Sequence, residues 1–319
     1  ATPTNTATPT ATATATATPT RGSFAYITDA SSAVLDVLDA QSGVPVDTLI
    51  VPTISYGIAV DPLSGGIYTT DFDRHLAIID PLTKSVQSVM VGRRPVGVAV
   101  DPGSGRAFVA NQRDGTLSVV DRATGDVQTI GVGAAPTGVA FDATSGRIFV
   151  ANQVGSGGAN GGTVSVVDAE TLAVATIAVG GSPFGIAVHP TTGIVYVASA
   201  AVVGELLVVD PATNGVQRVA VGSRPFGVAV TPDGSKVYVA NAASSSVSVV
   251  STTTLQTTTI MVGAGPFGVA VNLSGTRVFV ANQTAGTVSV INPLTDSVVS
   301  VVGVGGSPVA FGTIVGPVN

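Results

Sequence analysis

From Gly22 onward the chain alternates short apolar runs with turn sequences, and one phrase keeps returning. It reads Val91-Gly-Arg-Arg-Pro-Val-Gly97-Val-Ala-Val100, and comes back as Val132-Gly-Ala-Ala-Pro-Thr-Gly138-Val-Ala-Phe141 and as Val179-Gly-Gly-Ser-Pro-Phe-Gly185-Ile-Ala-Val188. Further copies are Val221-Gly-Ser-Arg-Pro-Phe-Gly227-Val-Ala-Val230 and Val262-Gly-Ala-Gly-Pro-Phe-Gly268-Val-Ala-Val271, with a degenerate one at Ser55-Tyr-Gly57-Ile-Ala-Val60. The shared glycines advance by 40, 41, 47, 42 and 41 residues, and the long step coincides with a glycine-rich insertion between Val154 and Gly162. Within each period the pattern predicts four strands. Gly-Val-Ala-Val has no polar face, which predicts an innermost strand buried on both sides. Turn sequences such as Asp101-Pro-Gly-Ser-Gly105 lead to runs like Arg106-Ala-Phe-Val-Ala-Asn111, then Gly115-Thr-Leu-Ser-Val-Val-Asp121, then Asp126-Val-Gln-Thr-Ile130. No useful stretch has helical periodicity.

Short strands in a period of about 41 residues match a propeller blade. Six complete copies span roughly Ile50 to Gly303. Ahead of them, Phe24–Asp29, Ala33–Asp39 and Val44–Ile50 supply runs two to four only; behind them, Val304–Val315 supplies run one. The two fragments add up to a seventh blade, and joining both chain ends in one sheet removes an exposed edge. The expected fold is therefore all-β: a seven-bladed propeller of four-stranded blades over residues 22–319, closed by a C-terminal innermost strand that sets Phe311 beside Tyr26.

The consensus V-G-x-x-P-x-G-V-A-V-x-P-x-G-x-x-V-Y-V-A-N followed by T-V-S-V-V-D resembles the YVTN-type β-propeller repeat. The resemblance covers about residues 22–319 and implies a propeller of the secreted or surface-layer-like kind found in bacteria and archaea. It implies no single activity, because propellers host many. Some propellers of this kind are lactonases or carry redox cofactors, which would require catalytic or metal-ligating groups at matching positions.

Residues 1–21 form a separate low-complexity segment, with threonine at every even position from 2 to 20 among Ala, Pro and one Asn. Lacking large apolar side chains it cannot build a core, while its β-branched residues and prolines favour extended backbone. Three readings stand: a flexible linker, a stalk O-glycosylated on Thr2, Thr4, Thr6, Thr8, Thr10, Thr12, Thr14, Thr16, Thr18 and Thr20, and a strand donated to a neighbouring molecule. The start at Ala1, without Met or a basic apolar leader, reads as that of a processed chain.

Composition narrows the chemistry. Only 10% of residues are charged, against roughly 25% in an average soluble domain, and the net charge is −6. A chain so acidic and so poor in Lys and Arg is a poor match for a nucleic-acid backbone. Without cysteine there are no disulfides, thiol nucleophiles or thiolate metal sites. No run of 18 apolar residues offers a membrane-spanning helix. The two histidines stand apart: His75 in Asp71-Phe-Asp-Arg-His75, and His189 where sister repeats carry Asp61, Asp101 or Asp142. His189 reads as a turn residue, and Asp71 with Asp73 falls short of the six to eight oxygens that calcium takes. Asn272-Leu-Ser274 and Asn282-Gln-Thr284 fit N-glycosylation spacing but occupy repeat positions that the fold itself explains.

No catalytic constellation, metal site or cofactor is expected. In propeller topology the loops entering run one and leaving run two share a face. That placement gathers Tyr56, Phe184, Phe226 and Phe267 near the channel mouth, ringed by Arg94, Arg113, Arg224, Asn111, Asn152, Asn241 and Asn282 as a docking rim. The competing reading has the rings plugging the core and the asparagines bonding to the next blade's backbone. The expected function is a non-enzymatic extracellular or cell-surface protein that self-associates through its tail, as in a fibre or layer. A monomeric glycan- or peptide-binding module on a flexible stalk is the alternative, and a propeller lactonase or hydrolase the remote one.

Overall fold

The computed structural model describes residues 23–154, 161–201 and 203–317. Seven sheets stand around a central channel, antiparallel throughout except for one short strand added parallel to the inner edge of the second. Each runs outward from an innermost strand, as in Pro95–Asp101, Arg106–Asn111, Thr116–Asp121 and Val127–Gly131. The outer strands alternate so that a single side chain faces inward (Leu49, Val89, Ile177 and Ile260 are examples) while the remainder meets solvent. The second strand of every blade carries one fully buried aromatic: Tyr26, Tyr68, Phe108, Phe149, Tyr196, Tyr238 or Phe279. The apolar core lies between blades, not within them. One cluster joins Tyr68 and Leu76 to Val98 and Val109 of the following blade, and the next joins Phe108 and Leu117 to Val139 and Val150.

The recurrent glycine has a steric cause. A Cβ on Gly57 would collide with the carbonyl oxygen of Val96, one on Gly97 with that of Thr137, and one on Gly185 with that of Phe226. Gly138, Gly227 and Gly268 meet the same obstacle in the carbonyls of Phe184, Phe267 and Ala310. Each innermost strand thus lies against the next blade's backbone, a separation only glycine allows.

Both chain ends close the ring, as the blade arithmetic predicts. Val315–Pro317 pairs with Ser23–Thr28, setting Val315 opposite Ala25 and Pro317 opposite Ser23. The expected Phe311–Tyr26 pairing is corrected. Phe311–Thr313 instead runs parallel to Ser55–Val60 on the inner edge of the second blade, with Phe311 opposite Gly57, and the amide of Tyr26 donates to Ile314 O at 2.9 Å. The departure begins at Ala310, which occupies the shared glycine's place and has φ 45°. Three residues, Phe311–Thr313, then pass along the neighbouring strand before pairing resumes, a detour no other blade makes among the described residues.

Polar contacts finish the seam. Asp29 ends its strand where four other blades have Asn, and its carboxylate accepts the Ser307 amide at 2.8 Å, the Ser31 amide at 2.8 Å and the Ser31 and Ser32 hydroxyls. Burial pushes the Asp29 carboxyl up, but these donors together outweigh it and hold the group below the usual carboxylate range. Thr28 donates to Tyr56 O at 3.1 Å and accepts the Ala310 amide at 2.9 Å. On the far side Asn272 donates to Ala40 O at 2.9 Å, tying the last complete blade to the first.

Two predictions follow from this geometry. Gly97→Ala loses about 2–3 kcal/mol in urea denaturation through overpacking, whereas Gly131→Ala, where a Cβ meets nothing within 4 Å, changes stability by less than about 1 kcal/mol and in the favourable direction. Equal effects would dissolve the close-approach account. The second concerns acid. A carboxyl with a depressed folded pKa stabilises above its unfolded value of about 3.9, and that contribution disappears as pH falls through the folded value. Asp29→Asn, sterically the residue of four sister blades, therefore folds at pH 7 and loses less stability than wild type between about pH 4 and pH 2; parallel pH profiles of the two proteins would remove Asp29 from the acid dependence.

Candidate functional site

The face bearing the loops that enter the innermost strands is termed the upper face, its opposite the lower. Local chemistry shapes the upper face. A proline opens the innermost strand in register with the last residue of the second strand, as Pro95 with Asn111 and Pro225 with Asn241. A β-bulge follows at once, between Pro95 and Val98, Pro136 and Val139, Pro183 and Ile186, and Pro225 and Val228. A bulge re-aims the side chain it carries. Here the residue between proline and glycine turns towards the axis, and Val96, Phe184, Phe267 and Val309 form a buried cluster with Tyr56 and Phe226 packed on it. Phe226 stacks on Phe267 at 4.7 Å, Phe184 meets Phe226 edge-on at 4.9 Å, and Tyr56 meets Phe267 at 5.5 Å.

The predicted rim divides accordingly. Phe184 and Phe267 are buried and plug the channel; Tyr56 and Phe226 are half-buried. Asn111, Asn152, Asn241 and Asn282 offer no surface at all, being 0% exposed, which removes them from the rim. Nor do they bond to the next blade. Each donates to two hydroxyls on the third strand of its own blade: Asn111 to Thr116 and Ser118 at 3.0 and 2.9 Å, Asn152 to Thr163 and Ser165, Asn241 to Ser246 and Ser248, and Asn282 to Thr287 and Ser289. Their amide groups lie against Gly92, Gly133, Gly222 and Gly263, where any side chain would strike them. The spacing Asn…Thr-x-Ser was visible in the repeat; its meaning as an internal staple emerges only from the strand register.

What remains exposed is cationic. Arg94, Arg113 and Arg224 reach solvent, and among the described residues none has a carboxylate at ion-pair distance, unlike Arg93, which pairs with Asp114 at 2.6 Å. Phe72, absent from the predicted rim, is 45% exposed and packs on Tyr56 at 5.0 Å. Burial drives the Tyr56 hydroxyl well above its ordinary pKa, and the nearby Arg94 charge opposes that rise. The loops are locked to one another: the Gln112 amide donates to Arg94 O at 2.9 Å, and the Ala242 amide to Arg224 O at 3.0 Å.

The lower face differs. It opens into a channel cavity of about 340 Å³ lined by innermost-strand Val, Ala, Ile and Gly residues with Phe141, Pro62 and Pro102, and among the described residues no charged side chain lines it. Around it stand most of the carboxylates, bound into turns. Asp80 accepts the amides of Leu82 and Thr83, and Asp168 those of Glu170 and Thr171; these hydrogen bonds hold both below the usual carboxylate range. His189 plays the same part with a nitrogen. Its Nδ1 accepts the Thr191 and Thr192 amides at 3.3 Å, as Asp101 accepts that of Gly103. His75 lies on the upper face with Nδ1 3.0 Å from Asp71, itself tied to the amides of Asp73 and His75. Among the described residues no three His, Cys, Asp or Glu side chains cluster as metal ligands, and no helix is long and apolar enough to cross a membrane. Asn272 and Asn282 of the two glycosylation-like triplets are buried and hydrogen-bonded. Thr2–Thr20 lie outside the described residues.

No family model matches the chain, and no curated protein does. Solved structures match closely in shape. Hydrazine synthase of Kuenenia stuttgartiensis superposes with a TM-score of 0.76 at 16% identity, covering 89% of this chain and 99% of that one. A functionally unknown protein from Desulfotomaculum acetoxidans gives 0.69 at 17% identity over 90% and 99%, and apo AztD from Citrobacter koseri 0.68 at 11% over 93% and 99%. At such identities the likeness establishes architecture alone: this chain is a seven-bladed β-propeller.

Proposed function

We propose that the chain is a non-enzymatic extracellular protein whose propeller is a rigid head and whose Thr/Pro/Ala tail connects it to a neighbouring copy in a surface fibre or layer. The observation that carries this reading is the character of the blade edges. The strands Val86–Met90, Val127–Gly131, Val174–Ala178, Thr257–Met261 and Ser297–Gly303 contain no charged residue. Met90, Met261 and Val301 are 65%, 66% and 58% exposed on them. Unpaired, uncharged outer edges are templates for an added strand unless something blunts or occupies them. A tail of β-branched residues at alternate positions suits that role. Its twenty residues, extended, would reach about 66–72 Å, while a blade of four strands is only about 15–20 Å wide, so length does not confine the tail to its own propeller. The resemblance to YVTN-type repeats supports a cell-surface setting. A head-to-tail contact of this kind is heterologous and can propagate.

Removing residues 1–21 should leave a folded monomer by light scattering where the full chain forms higher assemblies; assemblies of undiminished size after the deletion would refute the connector role. Threonine glycosylation of the tail predicts that protein isolated from its native source exceeds the 31.3 kDa of the polypeptide by intact mass, the excess mapping to Thr2–Thr20; bare threonines would remove the glycan from the proposal and leave the strand.

A further inference from the structure

The upper face carries an unexplained expense. Arg224, immediately before Pro225, has φ 50°, the left-handed region that side chains disfavour. The equivalent residues Arg94, Ala135 and Gly265 have φ 53°, 49° and 65°, so the repeat imposes this backbone, and glycine alone adopts it freely. The backbone cost is thus shared with other blades, and it is the placement of the Arg224 guanidinium that points to a task. The guanidinium of Arg224 lies over the Phe226 ring at 5.6 Å, reaches solvent, and has no carboxylate at ion-pair distance among the described residues. Beside it is a depression of about 360 Å³ whose wall includes Tyr56, Phe226, Gln283 and Thr284. Phe72 extends the aromatic surface beyond Tyr56, and a second guanidinium, Arg94, without a carboxylate at ion-pair distance among the described residues, acts on the same tyrosine.

We propose that this depression is a binding site for an acidic sugar, a uronate residue of a glycan. Arg224 forks the carboxylate, the exposed part of Tyr56 supports the apolar face of the pyranose ring, and Gln283 and Thr284 meet its hydroxyls. Carboxylate recognition favours a planar guanidinium over an ammonium. A shallow, half-aromatic hollow with amide and hydroxyl groups suits a single sugar ring better than a helix or strand of a protein partner. The site is independent of whether the tail connects subunits.

Calorimetric titration of the full chain with trigalacturonate tests it, with galactotriose and a poly-glutamate peptide as comparisons. Trigalacturonate should bind at least about tenfold more tightly than either and weaken as salt rises. Arg224→Gly should lose about tenfold or more in affinity while its thermal midpoint stays level or rises. Arg224→Lys should fall between, keeping the charge and losing the fork. Absence of trigalacturonate binding, equal binding of poly-glutamate, or undiminished affinity in Arg224→Gly would each overturn the assignment.

Discussion

The ring rests on backbone lying against backbone. Six innermost strands come so near the following blade that a methyl group at Gly57, Gly97, Gly138, Gly185, Gly227 or Gly268 has no room. That closeness sets the narrow channel and leaves large side chains to fill the widening space between blades further out. One buried aromatic per second strand does so. The residue ahead of each glycine is the exception: the bulge sends it inward, and four aromatics at this position, with Val96 and Val309, cap the channel from above. A single steric requirement, repeated around the ring, thus accounts for the glycine, the position of the core and the plug.

Much of this could be read from the chain because it is repeated. The period, the four runs within it and the split blade are all statements about spacing, and spacing survives without coordinates. What escaped were events that happen once or depend on register. The path after Ala310 is unique, and no other blade offers a template for a strand that first lies along its neighbour and then closes its own sheet. The asparagines were visible, yet polarity suggested exposure. Only the pairing of Asn111 with Thr116 across the second and third strands turns that polarity inward. Among the candidate site residues the arginines survive on the surface because nothing in the repeat uses them; the buried phenylalanines and asparagines do not, because the repeat does. Phe72 went unremarked because it lies in a loop outside the periodic phrase.

The two faces divide the chemistry between them. Below, the carboxylates are committed to turns, and His189 imitates one of them by accepting two amides through a ring nitrogen. Such groups shape the loops and have little left to offer a partner. Above, Arg94, Arg113 and Arg224, without carboxylate partners among the described residues, stand near half-buried rings, and the backbone under two of them is held in a conformation that glycine would adopt more easily. The exposed arginines therefore lie on one face, and the paired residues Ser23 and Pro317 on the other.

That adjacency of the ends has a mechanical meaning. Ser23 and Pro317 sit opposite one another at the same extremity of an antiparallel pair. Tension drawn between Ser23 and Pro317 would open this pair like a zipper, one hydrogen bond at a time, beginning at the outermost residues. Tension drawn from the amino end against the body of the ring would instead pull the first strand lengthwise past its partners, straining several bonds together. A propeller of this design resists traction far better when anchored through its blades than when pulled between Ser23 and Pro317.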